Sequence, residues 1–167
     1  MLKSVIRPDE CGDTIFADSH AAYDELPSAL QHELHGLTGN YCYLKLREIG
    51  SDGKAENLDV AEIKSAAGCA LHPLVTTHPI TGRKNLYANP SHTASIVGFE
   101  HAASEELLQR LFAHTAQEKF AFRHVYQDDD LIMWDNRGTA HMFLYFLYKG
   151  CFVCCCVRLD NLRILAY

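Results

Sequence analysis

Apolar positions recur along this chain in short blocks, and each block predicts a short element. Thr14-Ile15-Phe16-Ala17, following the turn signal Gly12-Asp13, predicts a strand. Ser19 to Tyr23 predicts the start of a helical turn, and Pro27 to His35 a helix. Pro27 suits a first helical position, where its missing N–H would have had no partner. Leu30 and Leu34 share one face, and Gly36 can end the helix. Asn40 to Ile49 has the tyrosines and alternation of a strand, whereas Gly50 to Gly68 is polar and small-residue rich and reads as a loop. Ser104 is placed to cap a helix, with Glu105 and Glu106 at the positive end of its dipole. Leu107, Leu108, Leu111 and Phe112 then make an apolar stripe. Phe120 to Tyr126 alternates like a half-buried strand. Asp128-Asp129-Asp130 turns the chain into a further strand, Asp130 to Trp134, with His141 a few residues beyond.

The end of the chain has a different pattern. Met142 to Val157 is almost wholly apolar, broken only by Lys149 and Gly150. A bilayer needs about 20 apolar residues in a spanning helix. This 16-residue run with a central lysine falls short and predicts a buried strand pair turning at Lys149-Gly150. Strand and helix signals alternate, and with no internal repeat and no linker the chain reads as one domain over residues 1–167.

Composition narrows the partners. The 167 residues are 48% hydrophobic with a formal net charge of −6, and no basic stripe is present. A general affinity for nucleic acid phosphates is therefore excluded, and no membrane partner is expected. Met1 to Val5 runs into a polar segment without the apolar core of a secretory leader. A reducing, cytoplasmic setting is expected for the chain with its seven cysteines, Cys11, Cys42, Cys69, Cys151, Cys154, Cys155 and Cys156. Asn89-Pro90-Ser91 is blocked as a glycosylation triplet by its proline.

Ten histidines raise the question of a metal. A non-haem Fe(II) site takes two histidines and one carboxylate on one face of the ion. Two of these commonly come from one strand as His-x-Asp or His-x-Glu, because alternate strand residues point the same way. No histidine of this chain has Asp or Glu two positions later. His32-Glu33-Leu34-His35 lacks the His-Glu-x-x-His spacing of a zinc protease and reads as a solvated helix face. Cys151 and Cys154 alone have Cys-x-x-Cys spacing, and buried apolar cysteines are the preferred reading of that cluster. Neither a Gly-x-Ser-x-Gly elbow nor a phosphate-cradling glycine loop is present.

Four blocks in order carry a family resemblance. They are Cys11 to Asp18 with Ala21 to Pro27, then His72 to Tyr87, then His92-Thr93 with Ile96-Val97-Gly98 and the helix after it, and last Phe120 to His141. Over about residues 8–141 the chain resembles the TauD/TfdA family of Fe(II)- and 2-oxoglutarate-dependent dioxygenases, such as taurine and 2,4-dichlorophenoxyacetate dioxygenases. Residues 142–167 are a divergent tail. The resemblance implies a fold that is mainly β with flanking helices (α+β), a double-stranded β-helix, or jelly roll, that is incomplete here. It also implies an oxidoreductase that couples decarboxylation of 2-oxoglutarate to hydroxylation of a small, often anionic substrate at Fe(II).

The resemblance further implies roles for individual residues. His141 matches the distal iron ligand and Thr14 the threonine that hydrogen-bonds a carboxylate of 2-oxoglutarate. Asp135, Asn136 and Arg137 match the loop before the histidine and read as a brace that orients it. His72, His78 and Arg83 read as structural. The family's His-x-Asp precedes the position of Thr14, and the chain begins too late to include it. Where the family's carboxylate-gripping arginine stands, this chain has Phe152. The position of a second, substrate-side arginine is taken by Cys156, and Arg158, two residues out of register, is the nearest candidate. The chain is thus expected to be inactive alone, with homo-oligomers or aggregation through unpaired barrel edges. Two alternatives stay open: a non-catalytic homologue that binds a small carboxylate or a protein partner, and a non-functional product.

Overall fold

A computed structural model describes residues 1–4, 13–42, 69–147 and 150–156, with residues 142–147 and 150–156 given as backbone. Short strands dominate, joined by a few helices. In order they are β1 (Leu2–Lys3), β2 (Thr14–Asp18), α1 (Ser19–Asp24), α2 (Ser28–Leu34), β3 (Thr38–Tyr41), β4 (Ala70–Pro73), β5 (Val75–Thr77), β6 (Lys84–Leu86), β7 (Thr93–Ile96), α3 (His101–Thr115), a single 3-10 turn (Glu118–Phe120), β8 (Ala121–His124), β9 (Leu131–Ile132), β10 (Thr139–Leu147) and β11 (Gly150–Cys156). The largest sheet has the order β11-β10-β2-β8. Smaller sheets run β4-β3-β7, β5-β6 and β1-β9, and every pairing is antiparallel.

Local chemistry explains where the elements start and stop. Asp18 ends β2 and caps α1, its Oδ1 accepting the backbone N–H groups of His20 at 2.8 Å and Ala21 at 3.0 Å. These donors lie at the helix start, where no backbone acceptor can reach them. Pro27 occupies the cap of α2 and not its first turn. Gly36 follows with φ 84°, a left-handed conformation that glycine adopts without penalty. Helix α3 begins at His101, one turn before the expected cap. Ser104 is buried inside the helix, and its Oγ accepts the backbone N–H of Ile96 at 2.8 Å. Its hydroxyl therefore ties α3 to the end of β7 and caps nothing.

The apolar stripe of α3 is buried as its period predicts. Leu107, Leu108, Leu111 and Phe112 pack with Tyr23, Leu26, Leu34, Leu74, Leu86, Ile96 and Phe120 in one cluster. That cluster lies between the helices and strands β5 to β7. Fully burying one such side chain stabilises the fold by about 1.5–3 kcal/mol.

Several expectations change. Phe120 sits in the 3-10 turn, so β8 is shorter than the alternating run. Strand β3 stops at Tyr41, and the rest of the expected strand, with the loop from Gly50 to Gly68, lies outside the described residues. The expected terminal strand pair is present as β10 and β11, which pair from Met142↔Cys156 to Leu147↔Gly150. Cys42 and Cys69 are joined as a disulfide, S–S 2.06 Å, just beyond the paired residues Tyr41 and Ala70. The expectation of a reducing compartment did not include this bond. Among the described residues, no helix is long and apolar enough to cross a membrane.

Candidate active site

Strand register brings the two principal candidate residues together. His141 of β10 pairs with Phe16 of β2, and Thr14 stands two residues before Phe16. Directly paired residues point to the same side of a sheet, as do alternate residues of one strand. His141, Phe16 and Thr14 therefore share one face. All three are buried, Thr14 completely. Thr14 opens β2, and its Oγ1 lies 3.0 Å from the Tyr126 hydroxyl. One O–H of such a pair is spent on the mutual bond, and the other remains to face a carboxylate oxygen.

The His141 imidazole is walled by aromatic rings. Trp134 lies 4.9 Å away between centroids and Phe16 6.1 Å, and these two are 5.3 Å from each other. Burial pushes the His141 pKa down to about 4, and the positive charge of the chain's amino terminus adds to the shift. The ring is thus neutral at pH 7, the form that offers a lone pair to a metal.

The loop before His141 is strongly cross-linked. Asp135 accepts from the Arg137 backbone N–H, from Arg137 Nε and from an Arg137 terminal nitrogen, each at 2.9 Å. It also accepts from His78 Nε2 at 3.0 Å. These bonds, with Arg137 foremost, hold the Asp135 carboxyl well below the usual carboxylate range. Trp134 Nε1–H donates to Asn136 Oδ1 at 2.5 Å. Gly138 then meets α1: its carbonyl accepts from Ser19 N at 3.0 Å, and the His20 ring occupies the space where a Cβ on Gly138 would lie. A cavity of about 160 Å³ opens beside this brace, lined in part by His72, Thr76, His78, Asn85, Tyr87 and Arg137. Neither Thr14 nor His141 lines it.

The sequence-level candidates fall into three groups. His141 and Thr14 meet on one face, and Asp135, Asn136 and Arg137 form the loop leading to it. Arg158 lies outside the described residues, and Phe152 is described only as backbone in β11. Tyr126, Trp134 and Phe16 were not singled out by sequence. Their signal was weak: Phe16 lies in β2, but Tyr126 and Trp134 follow β8 and β9, with nothing local to link them to a threonine or histidine far away in the chain.

The donor set does not by itself fit an Fe(II) centre. Among the described residues, no group of three or more His, Cys, Asp or Glu side chains is placed to hold a metal ion.

Comparison with known proteins gives the family of the chain. Residues 1–143 match the family model described as taurine catabolism dioxygenase TauD, TfdA family. The chain is 39% identical over 142 residues to the alpha-ketoglutarate-dependent 2,4-dichlorophenoxyacetate dioxygenase of Cupriavidus pinatubonensis, covering 84% of this chain and 47% of that protein. It is 31% identical to pentalenolactone F synthase of Streptomyces avermitilis, covering 80% of this chain and 46% of that one. The crystal structure of AAD-2 in complex with Mn(II) and N-oxalylglycine superposes with a TM-score of 0.78 at 33% identity, over 89% of this chain and 56% of its own. A taurine dioxygenase from Burkholderia xenovorans gives 0.67 at 31% identity, over 82% and 43%. The chain spans about half the length of the curated relatives it matches. On the match of residues 1–143, it belongs to the TauD/TfdA dioxygenase family, whose named members are oxidoreductases dependent on alpha-ketoglutarate (2-oxoglutarate).

Proposed function

We propose that this chain is a single domain, a portion of a jelly-roll barrel, and carries part of the active site of an Fe(II)- and 2-oxoglutarate-dependent dioxygenase. Its substrate is a small organic molecule of the anionic kind, and its setting is the cytoplasm. In this reading His141 is the distal iron ligand. Thr14, with its phenol neighbour, receives a carboxylate of 2-oxoglutarate. Asp135, Asn136 and Arg137 hold the loop that delivers the histidine, and Arg158, two residues out of register in the sequence, is the candidate for the far carboxylate. One observation carries the reading: in a chain of this family, a buried neutral imidazole and a buried hydroxyl lie on one face of one sheet.

Taken alone, the chain is catalytically incompetent. What supports this is the missing His-x-Asp or His-x-Glu pair in the sequence, together with the lack of a three-donor group among the described residues. A lone imidazole does not fix the open-faced geometry that the chemistry needs. The chain's own contribution is to orient one ligand and to exclude water with Trp134 and Phe16.

Two measurements test the proposal. Under nitrogen, Fe(II) and 2-oxoglutarate should give no visible charge-transfer band with this chain. A band, or uncoupled consumption of 2-oxoglutarate, that disappears in His141→Ala refutes the incompetence. Trp134 is the sole tryptophan, so its emission reports on the site directly. Weak quenching by Co(II) that His141→Gln removes supports the assignment of His141, and quenching indifferent to that change defeats it.

A further inference from the structure

We propose that His78 is a positioning residue: its imidazole, fixed in one tautomer by the β5–β6 turn, holds Asp135 and through it the loop that sets Trp134 and His141. The functional meaning of this latch rests on the reading of His141 above, although its geometry stands independently of it. His78 is 7% exposed, just after β5. Its Nδ1 accepts the backbone N–H groups of Thr81 at 3.1 Å and Ile80 at 3.3 Å. A nitrogen that accepts carries no proton, so the ring hydrogen sits on Nε2. That Nε2–H donates to Asp135 Oδ2 at 3.0 Å, across 57 positions of sequence.

The latch acts on a loop with little freedom elsewhere. Asp135 is loaded by Arg137 on its other lone pairs. The Asp135 carbonyl accepts from Gly138 N at 3.3 Å, and Gly138 is pinned against α1. Arg137 comes from the loop itself and so cannot place it relative to the rest of the fold. Among the side-chain bonds described for Asp135, only that of His78 comes from a different element. The turn of β5–β6 therefore fixes where Asp135 sits. Asp135 fixes the run from Trp134, whose ring faces His141 at 4.9 Å.

Two near-isosteric variants separate this role from a merely local one. A glutamine places its amide nitrogen near Nε2, keeping the donor to Asp135. An asparagine places its oxygen near Nδ1, keeping the acceptor for Ile80 and Thr81. The sole tryptophan gives the readout through its emission maximum, its near-UV circular dichroism and its accessibility to acrylamide. His78→Gln should retain the wild-type Trp134 signature. His78→Asn should shift its emission to the red and raise the acrylamide quenching constant several-fold. A native signature in His78→Asn, or its loss in His78→Gln, overturns the proposal. If either variant fails to fold by far-UV circular dichroism, Asp135→Ala and Arg137→Gln decide. The first must change the Trp134 signature and the second must leave it largely intact, and the reverse overturns the latch. No metal or cosubstrate is present in these measurements. Their failure leaves the dioxygenase reading standing, and the failure of that reading leaves them unaffected.

Discussion

On the helix-backed side of the molecule, Leu34, Leu74 and Leu108 are fully buried and Leu111 is 1% exposed. On the sheet that carries Thr14 and His141, Phe122 is 63% exposed, and Met133, just past β9, is 73% exposed. Yet Phe122 pairs with Phe16 and so shares the face of the candidate site. The first region is held by ordinary burial among its own elements. The second holds a few polar groups in place by cross-links at its rim, while apolar surface beside them meets solvent. Stability and site chemistry are therefore supplied by different parts of the fold, and mutations should separate them.

The largest effect is expected on the packed side. Leu108→Ala removes a fully buried side chain from the middle of the core cluster. Such truncations cost about 2–5 kcal/mol, the lost transfer energy plus a cavity that the neighbours only partly fill. Chemical denaturation should show this loss, with the transition slope unchanged. If Leu108→Ala is nearly neutral, the helices are not what holds the chain together.

Next comes the acid response of the site. An unfolded histidine titrates near 6.5, whereas folded His141 is pushed down to about 4. Between those values the unfolded chain binds more protons, so stability falls as pH drops through this window and is untouched above it. The full difference is an upper bound of about 3 kcal/mol by linkage at 1.36 kcal/mol per unit. His141→Gln, measured by denaturant titration at pH 7 and pH 4.5, should flatten this acid limb. An unchanged limb would assign it to another group.

These two predictions differ in how far sequence alone foretold them. The stripe of α3 was readable because a 3.6-residue period is local, and so was the strand Thr14–Ala17. The start of α3 was misread because the Ser104 hydroxyl is used by Ile96 N across space, which capping preference cannot anticipate. Strands β4 to β6 gave no clear period: Pro73, Pro79 and Gly82 interrupt the run, and its strands are only three or four residues long. The pairing of Cys42 with Cys69 is a register fact, settled when β3 meets β4. His141 and Thr14 became candidates through family resemblance. Their shared face follows from the β2–β10 register. The links Thr14–Tyr126 and His78–Asp135, 112 and 57 positions apart, had no local signature at all.

A smaller effect is expected at the seam between the two regions. A Cβ on Gly138 would lie 2.3 Å from His20 Nε2. The ring cannot swing aside without loss, because its Nδ1 donates to the Lys84 carbonyl at 2.8 Å. Gly138→Ala should cost about 1–3 kcal/mol as an overpacking change. It should also alter Trp134 emission, since the displaced backbone leads into the site. Adding His20→Ala should restore much of that stability, because the obstacle is then gone. If the double variant is no better than the single one, the crowding lies elsewhere.

The smallest effect on stability, and the sharpest contrast with Leu108, belongs to Phe122. It lies on β8, the edge of the four-stranded sheet, with most of its ring in water. An exposed position away from packing contributes within about 0.5 kcal/mol. An open strand edge carrying apolar side chains is, however, a template for association. Leu131 of β9 and Val125, just past β8, are also exposed, at 59% and 58%. Phe122→Ser should thus leave the denaturation midpoint nearly unchanged while lowering the weight-average mass in sedimentation equilibrium. A wild-type chain that stays monomeric at every concentration tested would defeat this expectation. Association that survives in Phe122→Ser would move the adhesive surface away from the site-bearing sheet. A large stability loss would erase the contrast itself, because Phe122 would then be part of a packed layer and its face would not be open to solvent.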